Sequence, residues 1–424
     1  MDKKQTICLL NDSFPPQIDG VANAVINYAE QIEACGERAM VVTPSHPLAK
    51  DENLSYEVVR YPSVEFKPAE AYRAGFPFSP KVAEAAKRNN VSVLHSHCPI
   101  ISTFMARELR QAVRAPIILT YHTKFDIDID NLVRSEPLRD ACKRALVENI
   151  AACDEVWAVS SGAGENMRAL GYEGNYIVMP NGVDFPRGRV SEKCVVSVTG
   201  AYDLPDSVPI FLFVGRMLWY KGIHIILDAI AKLSCQNKDF RMIFIGDGAD
   251  RSEMETYAKS LGIESKCIFI GVVHDREILR AWYCRADLFL FPSTYDTNGL
   301  VVREAAACSL GSVLIRGSCA AEGVFDGRNG FLIDESSDSL YECLNNLYSN
   351  REKMRSVGER ASEELYISWE SSVKTAMERY KYVINSYNSG FYPKKRSVTE
   401  GIFKINGEIM NTLARISSKT KLDK

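Results

Sequence analysis

Two carboxylates eight positions apart, Asp296 and Glu304, enclose the string Thr297-Asn298-Gly299-Leu300-Val301-Val302-Arg303. A strand-like run, Leu288-Phe289-Leu290-Phe291, and a breaker, Pro292-Ser293, come just before it. A helix former, Glu304-Ala305-Ala306-Ala307, follows. The order predicts a strand, a turn and a helix whose first amides face the turn. Those amides lack internal partners and sit at the positive end of the helix dipole, so they attract anions. A diphosphate could rest on the amides near Gly299 and Leu300, with Asn298 in the same turn. Asp296 could then reach the hydroxyls of a sugar, and Glu304 those of a ribose. The segment outlines a nucleotide-sugar site.

A second strand-loop-helix string, Phe213-Val214-Gly215-Arg216-Met217-Leu218-Trp219-Tyr220-Lys221-Gly222, carries two cations, Arg216 and Lys221. Negative charge builds on a departing nucleoside diphosphate as the sugar bond breaks. Fixed cations there stabilise the transition state more than the ground state. Near the N-terminus, Ser13-Phe14-Pro15-Pro16-Gln17-Ile18-Asp19-Gly20 links a strand to a helix that starts at Val21 and stops at Cys35-Gly36. The periodicity predicts that this helix buries Val21, Val25, Tyr28 and Ile32. Gly20 would let backbone approach a ligand closely; a plain turn would use the same residues.

His122, in Thr120-Tyr121-His122-Thr123, follows a strand whose carboxyl end would point at a ligand-binding cleft. A lone histidine is as a rule structural, and position is what singles this one out. His95-Ser96-His97-Cys98 could pass for a metal cluster, but zinc needs further ligands that no spacing in the chain names. Asp126, Asp128 and Asp130 form a D-x-D-x-D run, read as part of an acceptor loop rather than a metal site.

These residues need elements to hold them. Short apolar runs alternate with amphipathic segments throughout, the pattern of parallel α/β domains. The first half predicts strands at Gln5–Leu10, Arg38–Thr43, Val91–His95, Pro116–Thr120, Glu155–Val159 and Tyr176–Met179. The second predicts Pro209–Val214, Phe240–Ile245, Cys267–Ile270, Asp287–Phe291, Ser312–Ile315 and Gly330–Ile333. The stretch Asn181–Val208 shows no helical period, so a boundary is placed near 195. The expected division is residues 1–195, residues 196–368, a last helix at 369–388 and a tail at 389–424. At 424 residues the chain is too long for one ordinary core, and 46% apolar with 25% charged residues is globular composition.

A formal net charge of −3 offers no basic field for nucleic acid. Twelve cysteines, scattered singly with no C-x-x-C, fit buried thiols in a reducing compartment. The apolar run at the N-terminus is too short for a signal peptide, and no stretch is long enough to span a membrane. The expected location is cytoplasmic, with room for peripheral attachment to the inner membrane face. The tail supplies a reason. From Phe391 onward there are eight Lys or Arg against three Asp or Glu. Ile402, Ile405, Ile409, Leu413 and Ile416 form a helical stripe among them. A basic amphipathic helix could lie on an anionic membrane surface, or pack on protein.

The acidic pair resembles the E-x7-E signature of retaining glycosyltransferases with the GT-B fold, with Asp296 where the first Glu is usual. Gly215-Arg216 through Lys221-Gly222 resembles the diphosphate-binding motif of the same family. Val178–Asp184, Ile245–Gly248, Phe269–Val273 and Gly327–Phe331 resemble further segments. As a set they are similar to glycosyltransferase family 4 over roughly residues 5 to 388. Thr120–Thr123 resembles the branch that glucosylates diacylglycerol. The resemblance implies two doubly wound Rossmann-like domains facing a cleft, the first for the acceptor and the second for the nucleotide sugar, with the last helix crossing back onto the first domain. It places Val273 by the nucleotide base and His122 by the transferred sugar and acceptor, where it positions groups or stabilises positive charge at the anomeric carbon.

It also implies a uridine diphosphate sugar donor, retention of configuration, and no cofactor or essential metal. The acceptor hydroxyl would attack from the face the diphosphate leaves, and a phosphate oxygen would take its proton. One alternative is the same fold acting on a saccharide acceptor in envelope or capsular polysaccharide synthesis. The other is a non-transferase, either a GT-B epimerase or a nucleotide-sugar-binding protein.

Overall fold

The structure is a computed structural model and describes residues 4–17, 19–65 and 73–392. The expected tail stripe lies outside these residues, as does Ile18. The chain divides into two compact units. One holds the residues up to Asn181 together with those from Trp369 onward; the other is Gly182–Ser368. The division falls earlier than the expected boundary near 195, so residues 182–195 belong with the second unit.

The first unit is built on a parallel sheet. Its strands are β1 (Thr6–Leu10), β2 (Arg38–Pro44), β3 (Glu57–Tyr61), β6 (Val91–Ser96), β7 (Ile117–Tyr121), β8 (Glu155–Ala158) and β9 (Ile177–Val178), in the order β3-β2-β1-β6-β7-β8-β9. A small antiparallel pair, β4 (Ser63–Glu65) and β5 (Arg73–Gly75), stands apart. The sequence reading missed β3, β4 and β5, which are short or carry charged residues within them. The inner strands are near-continuous apolar runs because helices cover both faces, and β1 is buried at every residue.

On one face lie the helix Gly20–Ala34 and the C-terminal helix Trp369–Asn388. Ala24, Val25, Tyr28 and Ile32 of the first meet Trp369, Val373, Met377 and Tyr380 of the second over Ile7, Leu9, Val93 and Trp157. The last helix is therefore part of the first unit's core, and each large apolar side chain it buries is worth about 1.5–3 kcal/mol. Val21, expected in the core, is only half-buried, and Ala22 and Ala24 take its share.

The second unit repeats the plan with β10 (Ile210–Val214), β11 (Arg241–Ile245), β12 (Cys267–Gly271), β13 (Leu288–Phe291), β14 (Ser312–Ile315) and β15 (Phe331–Ile333), all parallel, in the order β12-β11-β10-β13-β14-β15. One expectation fails before it begins. Residues 192–199, within the stretch read as free of helical period, form a helix. Ser191 caps it by accepting from the Cys194 N–H, and Val195 and Val198 pack on the second core. Two contacts one turn apart are too few to register as a period, and the β-branched valines argue locally against helix.

Candidate functional site

In the second unit the groups singled out above gather at the carboxyl ends of β10 and β13. Beyond β10 the chain makes a 3-10 turn, Trp219–Lys221, and enters the helix Ile223–Cys235 through Gly222. Gly222 has φ +76°, and a Cβ there would lie 2.0 Å from the Pro292 carbonyl oxygen. Only glycine lets this turn press against the turn that follows β13. The result is a direct contact: Lys221 Nζ donates to Asp296 Oδ1 at 2.7 Å. The other carboxylate oxygen, Oδ2, accepts from Ser293 Oγ at 2.5 Å. Lys221 is buried, and its ammonium lies 5.6 Å and 5.9 Å from the ring centroids of Tyr220 and Tyr295. The sequence reading gave Lys221 to a diphosphate and Asp296 to a sugar; here the two are each other's partners. The Arg216 side chain is exposed and makes no hydrogen bond or ion pair among the described residues.

The helix after Asp296 spans Leu300–Ala307 and starts from Gly299, at φ +55°. A Cβ on Gly299 would sit 2.9 Å from the Ala320 Cα, so glycine is needed for space as well as for backbone conformation. No side chain caps this helix. Its first internal bonds are made by the Val302 and Arg303 amides to the Gly299 carbonyl, at 2.8 Å and 3.3 Å. The Leu300 and Val301 amides precede them, in the place where an anion would be held. Asn298 is 8% exposed, and neither its Oδ1 nor its Nδ2 has a hydrogen-bond partner among the described residues. A buried amide left in that state costs about 1–3 kcal/mol.

Glu304, one turn into the helix, is also buried. Its Oε1 accepts from Arg276 at 2.6 Å and its Oε2 from the Tyr283 hydroxyl at 3.0 Å. Arg276 reaches Asp184 as well, at 2.6 Å. Burial raises the Glu304 pKa, and Arg276 works against that shift. Nothing in the spacing of Arg276 or Tyr283 marked them in the sequence, and they reach Glu304 only through folding; Ser293 reaches Asp296 locally, three residues away in the same turn. Val273 lies just past the end of β12, half-buried against the core.

In the first unit His122 stands one residue beyond β7, and it is not alone. His97 Nδ1 lies 3.0 Å from His122 Nε2, with the two rings stacked at 5.2 Å between centroids. The Asn181 amide nitrogen lies 3.5 Å from His122 Nδ1. His95 contacts the Tyr380 hydroxyl at 2.6 Å through Nδ1 and Thr120 Oγ1 at 2.7 Å through Nε2. Burial pushes all three imidazoles below their usual range, His122 to about 3. The H-x-H pair contacts protein groups, and among the described residues no three or more His, Cys, Asp or Glu side chains are grouped so as to hold a metal ion.

The D-x-D-x-D run forms the helix Phe125–Leu132 rather than a loop. Asp126 accepts from Asn166 at 3.2 Å, and Asp130 pairs with Lys143 at 2.8 Å. Gly20 is the first residue of its helix, one place earlier than expected, and Asp19 caps it by accepting from the Val21 and Ala22 amides. A Cβ at Gly20 would meet nothing within 4 Å, so packing within the chain does not require glycine there.

Comparison with known proteins gives the family of the chain. Residues 18–187 match Glycosyltransferase Family 4, and residues 200–364 match Glycosyl transferases group 1. The chain is 24% identical to the alpha-monoglucosyldiacylglycerol synthase of Streptococcus pneumoniae over 71% of its length and 69% of the relative's. It is 25% identical to the GDP-mannose-dependent alpha-mannosyltransferase of Corynebacterium glutamicum, over 77% and 76%. The solved structure of Anabaena HepE in complex with UDP-glucose superposes with a TM-score of 0.68 at 19% identity, covering 90% of this chain and 99% of that one.

Proposed function

This chain belongs to the glycosyltransferases of family 4 and group 1, with the GT-B fold, and on that premise we propose that it moves a hexose, glucose first among them, from a uridine diphosphate sugar to a lipid acceptor such as diacylglycerol. The observation that carries the reading is the grouping of Lys221, Asp296, the uncapped helix start at Leu300 and Glu304 on adjoining turns of the second unit. In this reading Arg216, Lys221 and the amides at Gly299 and Leu300 hold the diphosphate. Glu304 holds the ribose, Val273 flanks the base, and Asp296 and Asn298 face the sugar. His122 serves the reaction centre, and Gly20 leaves room at a helix start. The acceptor hydroxyl forms its bond to the anomeric carbon on the face the diphosphate leaves, and a diphosphate oxygen takes the hydroxyl proton. That gives retention without a dedicated base.

The lipid acceptor is supported by the Streptococcus pneumoniae relative, whose name states that chemistry. Among the described residues no helix is long and apolar enough to cross a membrane, so attachment would be peripheral and would fall to the basic tail. The mannosyltransferase relative, named for its GDP-mannose donor, favours a second reading with that donor; we pair it with the alternative of a saccharide acceptor.

The test is nucleoside diphosphate release in the presence of a chelator, with uridine diphosphate sugars and with GDP-mannose, with and without diacylglycerol vesicles. Release from one uridine diphosphate sugar that depends on vesicles supports the lipid transferase. Release from GDP-mannose that ignores vesicles supports the second reading. Interconversion of nucleotide sugars with no acceptor would show an epimerase, and nucleotide binding with no turnover a binding protein.

A further inference from the structure

From the contact between the two stacked rings we infer that His97 is a positioning residue for His122, holding that ring in one orientation and one neutral tautomer. The inference rests on the reading that His122 serves the reaction centre. As Asn181 is oriented, its amide N–H points at His122 Nδ1, at 3.5 Å. The lone pair of the imidazole is then on Nδ1 and the proton on Nε2. That N–H donates to His97 Nδ1 at 3.0 Å. The remaining proton of the neutral His97 is on its Nε2, which has no partner among the described residues although the side chain is 1% exposed. Such an arrangement spends hydrogen-bonding capacity on one side of the His97 ring to satisfy the other, where His122 is.

The surroundings fix His97 in turn. Its ring lies 4.1 Å from that of His95, and the edge of Tyr28 meets it at 5.3 Å. His95 is tied at both nitrogens, to Tyr380 of the C-terminal helix and to Thr120. The chain of contacts therefore runs from the C-terminal helix through His95 and His97 to His122, all inside the first unit. A neutral His122 suits its assigned place. Sugar transfer develops positive charge at the anomeric carbon, and an imidazolium beside it would oppose that charge. Which nitrogen carries the proton decides what the ring can offer a ligand, and the hydrogen bond on the other nitrogen sets that choice.

The test compares His97→Phe, which keeps an aromatic ring and removes Nδ1, with His97→Asn, whose amide reaches the place of Nδ1. The full chain, labelled with 15N in its six histidines, is read by long-range proton–nitrogen correlation, with His122→Ala assigning the His122 signals. The unmodified protein is expected to show His122 protonated at Nε2 alone. In His97→Phe that single tautomer is lost, and kcat for UDP release from UDP-glucose with diacylglycerol vesicles falls about 10–100-fold, by analogy with the loss of a partner that orients a metal-bound imidazole. KM and the affinity for UDP stay within about 3-fold, because the donor groups lie in the second unit. His97→Asn restores the tautomer and most of kcat.

An unchanged His122 tautomer in His97→Phe overturns the inference, and so does an equal loss of kcat in both variants. Full turnover in His122→Ala would instead overturn the role of His122 itself, and the tautomer measurement would still judge His97.

Discussion

Lys221 Nζ lies 2.7 Å from Asp296 Oδ1, so two residues seventy-five positions apart neutralise each other on adjoining turns. Lys221 is nearly withdrawn from solvent, while Asp296 keeps partial contact with it. Lys221→Met leaves the carboxylate with Ser293 alone. The expected loss of stability is about 1–3 kcal/mol, below the figure for a fully buried pair. The expected loss of kcat is larger in effect, about 10²–10³-fold, because a fixed cation on a leaving diphosphate acts mainly in the transition state. Chemical unfolding and initial rates on the same preparation check both. A stable variant with full activity would remove Lys221 from the mechanism.

Asn298 sets stability against function. Its amide is buried with both polar atoms unpartnered. Asn298→Leu keeps the volume and removes the unmet polar groups, so the protein should gain about 1–2 kcal/mol. Donor turnover should fall at the same time, since a sugar hydroxyl would meet the amide. A drop in melting temperature would show that the amide is satisfied in solution.

Arg276 determines the state of Glu304. Burial raises the carboxyl pKa, and the guanidinium at 2.6 Å holds that rise in check. Arg276→Leu removes the check, so Glu304 takes up a proton at a higher pH than in the unmodified protein. UDP affinity measured by calorimetry should weaken, and its fall on acidification should begin at a higher pH. An unshifted pH profile would place Glu304 away from the ribose.

The histidines of the first unit make it sensitive to acid. In the unfolded chain each takes up a proton near its ordinary value of 6.5, whereas in the fold His95, His97 and His122 stay neutral far below it. Below pH 6.5 the unfolded state therefore binds more protons. Stability is complete above that pH and falls as the pH drops toward the folded values, by up to about 1.4 kcal/mol per unit for each ring. The buried Asp12 carboxyl, raised by desolvation, acts in the opposite direction with one group against three. Urea midpoints at about pH 7 and pH 5.5 should show the loss, and it should shrink in His97→Asn.

What the sequence determined by itself was the two parallel α/β units and the sites where chemistry gathers. Short apolar runs bounded by breakers, such as Ile210–Val214 between Pro209 and Gly215, read as strands buried on both faces, and glycines at 222 and 299 mark turns that no other residue could make. Those are local constraints, written in neighbouring residues. The helix Glu192–Thr199 was not legible, because it is held by packing against the second core rather than by a period of its own. The partners of the site residues were decided only by the tertiary structure. Arg276 on Glu304, His97 against His122 and Tyr380 on His95 join residues far apart in the chain, from neighbouring helices, neighbouring strand ends, and a strand and a helix, that the fold brings together. Burial makes those contacts matter, since a charge or an imidazole taken out of water must find its partner wherever the fold supplies one.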